Sequence, residues 1–338
     1  MIGFTVFTTF PIGLSFYLSF KEYNILWDAP KDLEDPLFNY KKIFAIKIAK
    51  QDNPDELWIH TLGVKETEGG KTIRYYPLDE FKWRGDTYLL GAGDKFFWKG
   101  LWFTVRYAVF SVPLGLMGAL AVALLLNQAI RGIGYWRTLY YLPAVLPAAS
   151  IALLWFWLFA PNRGLINESL EPFYSAFGIS RPGWFTDPKL RLPAFIIMGL
   201  WGIFGANTVI LLAGLKNIPP ALYEAASIDG AGIWTKFRRI TIPMLSPALF
   251  YNLVTNLIAA LQVFTQQAFI SPEGITREDG LFINWLIYLE AFEHNHMGYA
   301  SAMGWLTTML IIIMTILVFR SSSAWVFYEG ARREEGGA

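Results

Sequence analysis

The chain has 338 residues, 54% of them hydrophobic and 17% aromatic, which is too apolar for one soluble core and fits several membrane spans. A formal net charge of +1 supplies no basic field for a nucleic-acid partner, and the absence of cysteine excludes a disulfide framework and thiolate chemistry. The first apolar run lacks a basic leader and a small-residue cleavage site, so no cleavable signal peptide is evident.

In chain order, Ile2 to Phe20 is the first predicted span, barely enough to cross roughly 30 Å of hydrocarbon. A span that starts beside the initiator Met is unusual, and more residues upstream are to be expected. Lys21 to Lys95 is polar, charged and long for a loop without structure of its own. Its apolar and aromatic islands, LWIHTLGV and TIRYYPL, predict a small β-rich insertion. Gly69-Gly70-Lys71-Thr72 echoes a phosphate-binding loop, but Lys65 stands where the first glycine belongs and no buried strand precedes it.

The second span is predicted over about Phe97 to Leu126, with Pro113 as a kink. Arg106 near its outer end reads better as a snorkelling side chain than as a substrate contact. The third span, Thr138 to Phe159, holds Pro143, Pro147 and the run Trp155-Phe156-Trp157, which suits an interfacial belt better than a sugar-stacking platform. Ala160 to Leu190 is a proline-rich loop, and Leu192 to Leu215 is the fourth span. The fifth is expected over Ala248 to Ile270. The sixth opens at Gly298-Tyr299-Ala300-Ser301-Ala302 and ends near Arg320. His294 and His296, two residues apart with no third ligand, read as solvated loop histidines and not as a metal site.

Between the fourth and fifth spans lies a polar, helix-forming stretch, Asn217 to Phe250, with prolines at both ends. Pro219 and Pro220 suit a helix start, where a missing N–H costs nothing. Ala221 to Ser227 reads as a short helix with Leu222, Ala225 and Ala226 on its packing face. Asp229 and Gly230 supply a turn. A second short helix then places Ile233, Trp234, Phe237 and Ile240 near helical spacing, with Lys236, Arg238 and Arg239 in its last turns.

These residues resemble the cytoplasmic EAA loop of permease subunits in binding-protein-dependent ABC importers. The family pattern is Glu-Ala-Ala, three residues, Gly, nine residues, Ile, one residue, Leu-Pro. Here it is Glu224-Ala225-Ala226, Gly230, Ile240 and Pro243, with Ile242 in place of the Leu. The surrounding IPP, LYEAA and IDGA resemble the sugar-importer branch, maltose-like or glycerol-phosphate-like. LSFKEYN at Leu18–Asn24, Phe38-Asn39-Tyr40 and the tail WVFYE at Trp325–Glu329 do so too. More than fifty residues separate Asn39-Tyr40 from the second span, which departs from the commoner short loop.

The resemblance implies an all-α membrane protein of six transmembrane helices with a cytoplasmic coupling helix-turn-helix. The expected organisation is a first span over 1–20 and an extracytoplasmic insertion over 21–96. A permease domain follows over 97–320, with its coupling loop at 216–247, and a cytoplasmic tail over 321–338. The implied partners are a second similar permease, two ATP-binding subunits, an extracytoplasmic solute-binding protein and membrane lipid. The implied location is a bacterial or archaeal cytoplasmic membrane. The short loops agree by a modest margin, because Arg131, Arg137, Lys216, Lys236, Arg238, Arg239, Arg320, Arg332 and Arg333 fall on the coupling-loop side, while the opposite loops hold Arg163, Arg181, Lys189, Arg191 and Arg277.

For the solute, the fifth span carries the signal. At about 100° per residue, Asn252, Asn256, Gln266 and Gln267 fall on one side, with Thr255 and Gln262 at its edge, an arc of roughly 140°. Uncharged amides facing lipid are costly. They suit a polyhydroxylated, carbohydrate-like solute, and interhelical hydrogen bonding accounts for them equally well. Asn207 and Thr208 in the fourth span are weaker candidates of the same kind.

The alternative is a secondary transporter or facilitator of a polar solute without an ATPase; the predicted spans contain no Asp or Glu, which argues against its proton- or sodium-coupled form. No nucleophile, base and orienter group together, which argues against an enzyme and requires no cofactor.

Overall fold

The structure, a computed structural model, describes residues 2–26, 29–51, 58–66, 72–128, 132–270 and 280–327. Among these, four helices are long and apolar enough to cross a membrane: Lys95–Leu126, Pro188–Lys216, Ile233–Leu261 and Met297–Ser322. A fifth candidate is a pair, Gly134–Val145 and Ala148–Leu158, bent by 102°. Among the described residues, four continuous helices and one bent pair thus stand where six spans were expected. The expected third span breaks at Leu146-Pro147. Proline removes a donor and drives the residue before it out of the helical region, and Leu146 is extended at ψ 138°. The expected first span is helical only from Ile2 to Leu18, shorter than a typical crossing of about 20 residues. Its Thr5–Thr9 turn widens to the π form just before Pro11, whose ring would otherwise meet the carbonyl one turn back.

The chain divides into two compact units. The first, Met1–Thr104 with Ile275–Leu310, contains all the described strands. Strands β1 (Lys21–Glu22) and β2 (Lys31–Asp32) form an antiparallel pair. The Asp32 carboxylate, hydrogen-bonded to Lys21, holds that ammonium above its usual pKa. β3 (Ile46–Gln51), β6 (Tyr76–Trp83) and β7 (Asp86–Ala92) make an antiparallel sheet of order β3-β7-β6, and β4 (Val64–Glu66) pairs with β5 (Thr72–Arg74). Leu62, Tyr75 and Leu89 are its core. Of the phosphate-loop echo, residues 69–71 lie outside the described residues, and Thr72 begins β5.

Asn39 is buried and donates to the carbonyls of Ser19 (2.9 Å) and Lys21 (3.2 Å), while the Tyr40 hydroxyl donates to Ser19 Oγ at 2.8 Å. Asn39 therefore satisfies carbonyls left open where the first helix ends, and Tyr40 ties down the Ser19 hydroxyl beside them. Below them, Ile43, Phe97, Leu286, Tyr299 and Met303 form the apolar core of this unit.

The second unit, Val105–Gly274 with Ile311–Ala338, packs through small residues. A Cβ at Gly118 would lie 2.2 Å from the Phe204 ring, so that glycine is what lets the two helices approach. Ala119, Ala123, Leu211, Leu215 and Leu245 continue the seam. The loop predicted after the third span is instead a folded lobe with helices Leu165–Ser169 and Glu171–Phe177. Asn167, fully buried, organises it. Its Nδ2 donates to the carbonyls of Ala160, Pro161 and Pro182, and its Oδ1 accepts from Trp184 Nε1 (2.9 Å) and the Tyr174 hydroxyl (3.3 Å). Arg191, expected in an exposed loop, is fully buried and donates to the Phe185 carbonyl at 2.8 Å.

Replacing Asn167 by Ala strands several buried polar groups, each costing about 1–3 kcal/mol. The expected result is faster proteolysis between residues 160 and 187 and a lower melting temperature, with the long helices retained by circular dichroism.

Candidate functional site

Two features of the second unit stand out: an exposed helical knob and a cavity. The knob begins at Pro220, in the first turn of the helix Pro220–Ile228. The chain then reverses through Gly230, at φ +72°, with the Ala231 N–H donating to the Ala226 carbonyl at 2.8 Å. A side chain at Gly230 would carry the left-handed penalty of about 1–2 kcal/mol.

The second helix, Ile233–Lys236, is not a separate element as expected. It passes through a π-turn at Phe237–Thr241 into Ile242–Leu261, so one helix runs from the knob through the following span. Pro243 and Pro247 sit inside that helix. The π-turn gives Pro243 room, and the buried Ser246 Oγ donates to the Pro243 carbonyl (2.7 Å) that Pro247 leaves without its backbone donor. Ser246 Oγ also accepts from the Phe327 N–H at 2.8 Å, which holds the start of the tail against this helix.

The two arms of the knob are tied to each other. Tyr223 Oη and Thr241 Oγ1 lie 3.0 Å apart, and Lys236 Nζ donates to Ser227 Oγ at 2.7 Å. Tyr223 and Ile240 pack on the seam beside Leu215, Ile218 and Leu245. The root is therefore rigid and the tip apolar and exposed: Ile228 is 87%, Ile233 89% and Trp234 69% exposed. This corrects the packing read from helical spacing. Leu222 and Ala225 face out, Ala226 is half-buried, and Tyr223 is the anchoring side chain. Ile233 and Trp234 face out while Phe237 and Ile240 are half-buried. Glu224 and Gly230 are exposed, and Pro243 is half-buried at the root. Tyr223 was findable as the aromatic preceding Glu224. The outward Ile228 had no sequence signal, because an exposed isoleucine and a core isoleucine read alike.

The predicted amide arc does not lie along one helix. Ile242–Leu261 ends at Gln262, and a separate short helix, Thr265–Ile270, follows. The run Val263-Phe264-Thr265 consists of residues that lose rotamer freedom in a helix. In a continuous helix, Asn256 and Gln266 would stand about 15 Å apart along the axis. The break instead brings both to one cavity of about 190 Å3, walled by Tyr107, Met198, Gly199, Gly202, Ile203 and Val263. Asn256 Nδ2 donates to Asn207 Oδ1 at 2.9 Å and to the Asn252 carbonyl at 2.6 Å. Asn207, Asn252 and Gln267 are buried. Gln262 is exposed and lies outside this lining. His294 and His296 are largely exposed and lie beside Glu290, and no metal-binding cluster exists among the described residues.

Asn256→Leu removes the donor to buried Asn207 Oδ1 and is expected to cost about 1–3 kcal/mol, read as a lower melting temperature. Gln266→Leu makes none of those bonds, so it should leave the melting temperature within about 0.5 kcal/mol of the parent.

Residues 104–326 match the family described as binding-protein-dependent transport system inner membrane component. The chain is 35% identical over 332 residues to YesP of Bacillus subtilis (strain 168), described as a probable ABC transporter permease protein, covering 97% of this chain and 89% of that one. It is 33% identical to the trehalose/maltose transport system permease protein MalF of Thermococcus litoralis, over 69% of this chain and 77% of that one. Among solved structures, it is similar to a bacterial alginate ABC transporter chain at a TM-score of 0.61 and 25% identity, covering 68% of this chain and 79% of that chain.

Proposed function

Because the chain belongs to the binding-protein-dependent transport inner-membrane family, as a sugar-type ABC importer permease, we propose that it forms half of a translocation pathway for a carbohydrate-like solute. Its partners are then a second, similar permease, two separate ATP-binding subunits and an extracytoplasmic solute-binding protein. Relatives are transporter components, and no catalytic role is assigned.

The observation that carries the reading is the knob. It is a helical hairpin, cross-tied at its base, with an apolar tip and an exposed carboxylate at Glu224. Any coupling needs a contact that differs between two states, and a groove in an ATP-binding subunit that closes on this tip supplies it. Since the knob and the following span are one helix, a push at Trp234 travels into the helix that bears Asn256. Alternating access follows if closure of the ATPase pair turns the cavity outward and hydrolysis resets it. The cavity's amides offer donors and acceptors without fixed charge, which suits sugar hydroxyls.

The membrane topology of this reading is six crossings with both ends inside. The Tyr299 hydroxyl donates to Asp94, so the helices Lys95–Leu126 and Met297–Ser322 begin on one side. In this reading Ile233–Leu261 leads outward from the knob and Pro188–Lys216 leads inward to it. Lys95–Leu126 runs inward in this reading, so the chain crosses back once before Pro188. The bent pair is the apolar stretch between them and serves as one broken crossing.

Glu224 stands at the middle of the exposed helix Pro220–Ile228, one turn past the reach of the helix dipole, and its carboxylate is open to a basic partner as a charge-assisted bond. Glu224→Lys and Gly230→Val are expected to leave the membrane helices folded while releasing the ATP-binding subunit or uncoupling hydrolysis from uptake. Co-purification and substrate-stimulated hydrolysis in liposomes are the measurements. Wild-type coupling in both variants, or full-rate uptake without ATP, contradicts the proposal.

A further inference from the structure

The sheet of the first unit has one covered face and one open face. Residues opposite each other across an antiparallel ladder share a face, and so do alternate residues of one strand. Lys47 and Ala49 of β3 stand opposite Gly91 and Leu89 of β7, and the helix Trp58–Leu62 covers that side. A Cβ at Gly91 would lie 2.7 Å from the Leu62 side chain. The other face carries Ile46 and Ile48 of β3, Tyr88 and Leu90 of β7, and Phe81 and Trp83 of β6. Phe81 and Tyr88 stack with their centroids 5.7 Å apart. Among the described residues this face is left exposed, Ile48 by 60% and Trp83 by 62%. Its charges sit at the margins. Lys50 and Asp86 pair with each other at 2.9 Å, and Asp79 lies on the edge strand β6, where it accepts from the Glu80 N–H.

The open face runs into the aromatic belt of the span that follows it. β7 ends at Ala92 and the long helix begins at Lys95, so at most about 10 Å of chain separates them. Phe44, exposed just before β3, has its ring 6.2 Å from that of Trp98, whose Nε1 donates to the Ile43 carbonyl at 2.9 Å. One turn further along the span, Trp102 is 61% exposed. Trp102, Trp98, Phe44, Ile46 and Ile48 thus make a row of neighbours from the lipid-facing start of the span onto the sheet.

We propose that the open face of this sheet lies on the membrane, in the headgroup layer on the side where Lys95–Leu126 begins. The proposal needs that helix to cross the membrane and is independent of the solute carried. Tryptophan and tyrosine rings favour this layer, and attachment strengthens with the apolar area taken out of water. The sheet also meets the demand that keeps irregular backbone out of lipid, because β7 is bonded to a strand on each side. Geometry makes the proposal specific. Asp86, opposite Trp83, stands about 20 Å along the strand from Ala92, whereas each headgroup layer is only about 5–7 Å deep. Trp83 reaches that layer when the strands lie nearly flat on it, and an upright sheet leaves it in water.

The chain has no cysteine, so Ile48→Cys, Trp83→Cys and, on the opposite face, Lys82→Cys each take a single nitroxide label. The measurement is relaxation of each label in the assembled complex, in nanodiscs with cysteine-free partner subunits, by a nickel chelate anchored to lipid headgroups and by the same chelate free in water. The expected result is stronger relaxation by the anchored chelate at 48 and 83, and the reverse at 82. Phe81→Cys, on the same open face, replaces either site if that variant does not assemble. Stronger relaxation by the free chelate at 48 or at 83 overturns the proposal, as does the same pattern at 82 and 83. Protection from both chelates at 48 and 83 means that a protein covers the face, and overturns it as well.

Discussion

In hydrocarbon every backbone N–H and C=O has to find its partner inside the protein, and the irregular backbone of this chain is placed under that constraint. Where Pro247 removes a donor from the long helix of residues 233–261, the Ser246 hydroxyl takes the freed carbonyl of Pro243 and then accepts the amide of Phe327. One side chain thereby keeps the helix unbroken and fixes the tail to it. The same helix continues without interruption into the knob, because a π-turn at residues 237–241 absorbs Pro243. Had the prolines broken it, as their usual effect in soluble helices suggests, the knob would hang on a joint and transmit little. Helix continuity is thus the mechanical condition for everything proposed about coupling.

The cavity arises from the opposite choice. Two breaks interrupt apolar segments, at Leu146-Pro147 and at Gln262, and past the second Gln266 lines the same cavity as Asn256. In a straight helix the same two amides would stand about 15 Å apart along one face. The bond from Asn256 to Asn207 shows that interhelical pairing and pathway lining do not exclude each other, since Asn256 does the first and also faces the cavity.

The loop pattern from Glu224 to Pro243 and the long apolar runs were legible because they rest on spacing and composition, which a sequence displays directly. The break at Gln262 was not, because no Gly or Pro marks it and a Val-Phe-Thr run ends helices only when tertiary packing agrees. Proline position misled in both directions. Pro147 bends its segment sharply, whereas Pro243 and Pro247 do not, the first beside a widened turn and the second with the Ser246 hydroxyl on the carbonyl it frees. Asn167 and Arg191 looked like loop residues and proved to be buried hubs. Their signal is the ring of carbonyls around them, which exists only in the folded lobe.

The central claim is that the knob and the span it opens move as one rigid body. Spin labels at Ile228→Cys and Tyr251→Cys, both exposed positions on this element pair, report on it by pulsed dipolar distance measurement in the assembled complex. The account predicts one narrow distance, unchanged to within about 2 Å (roughly one residue rise of helix), in the ATP-free and the vanadate-trapped complex. A distance that broadens or shifts by more than one helical turn, about 5.4 Å, means the knob flexes on its root, and the rigid transmission argued from the continuous helix would be contradicted.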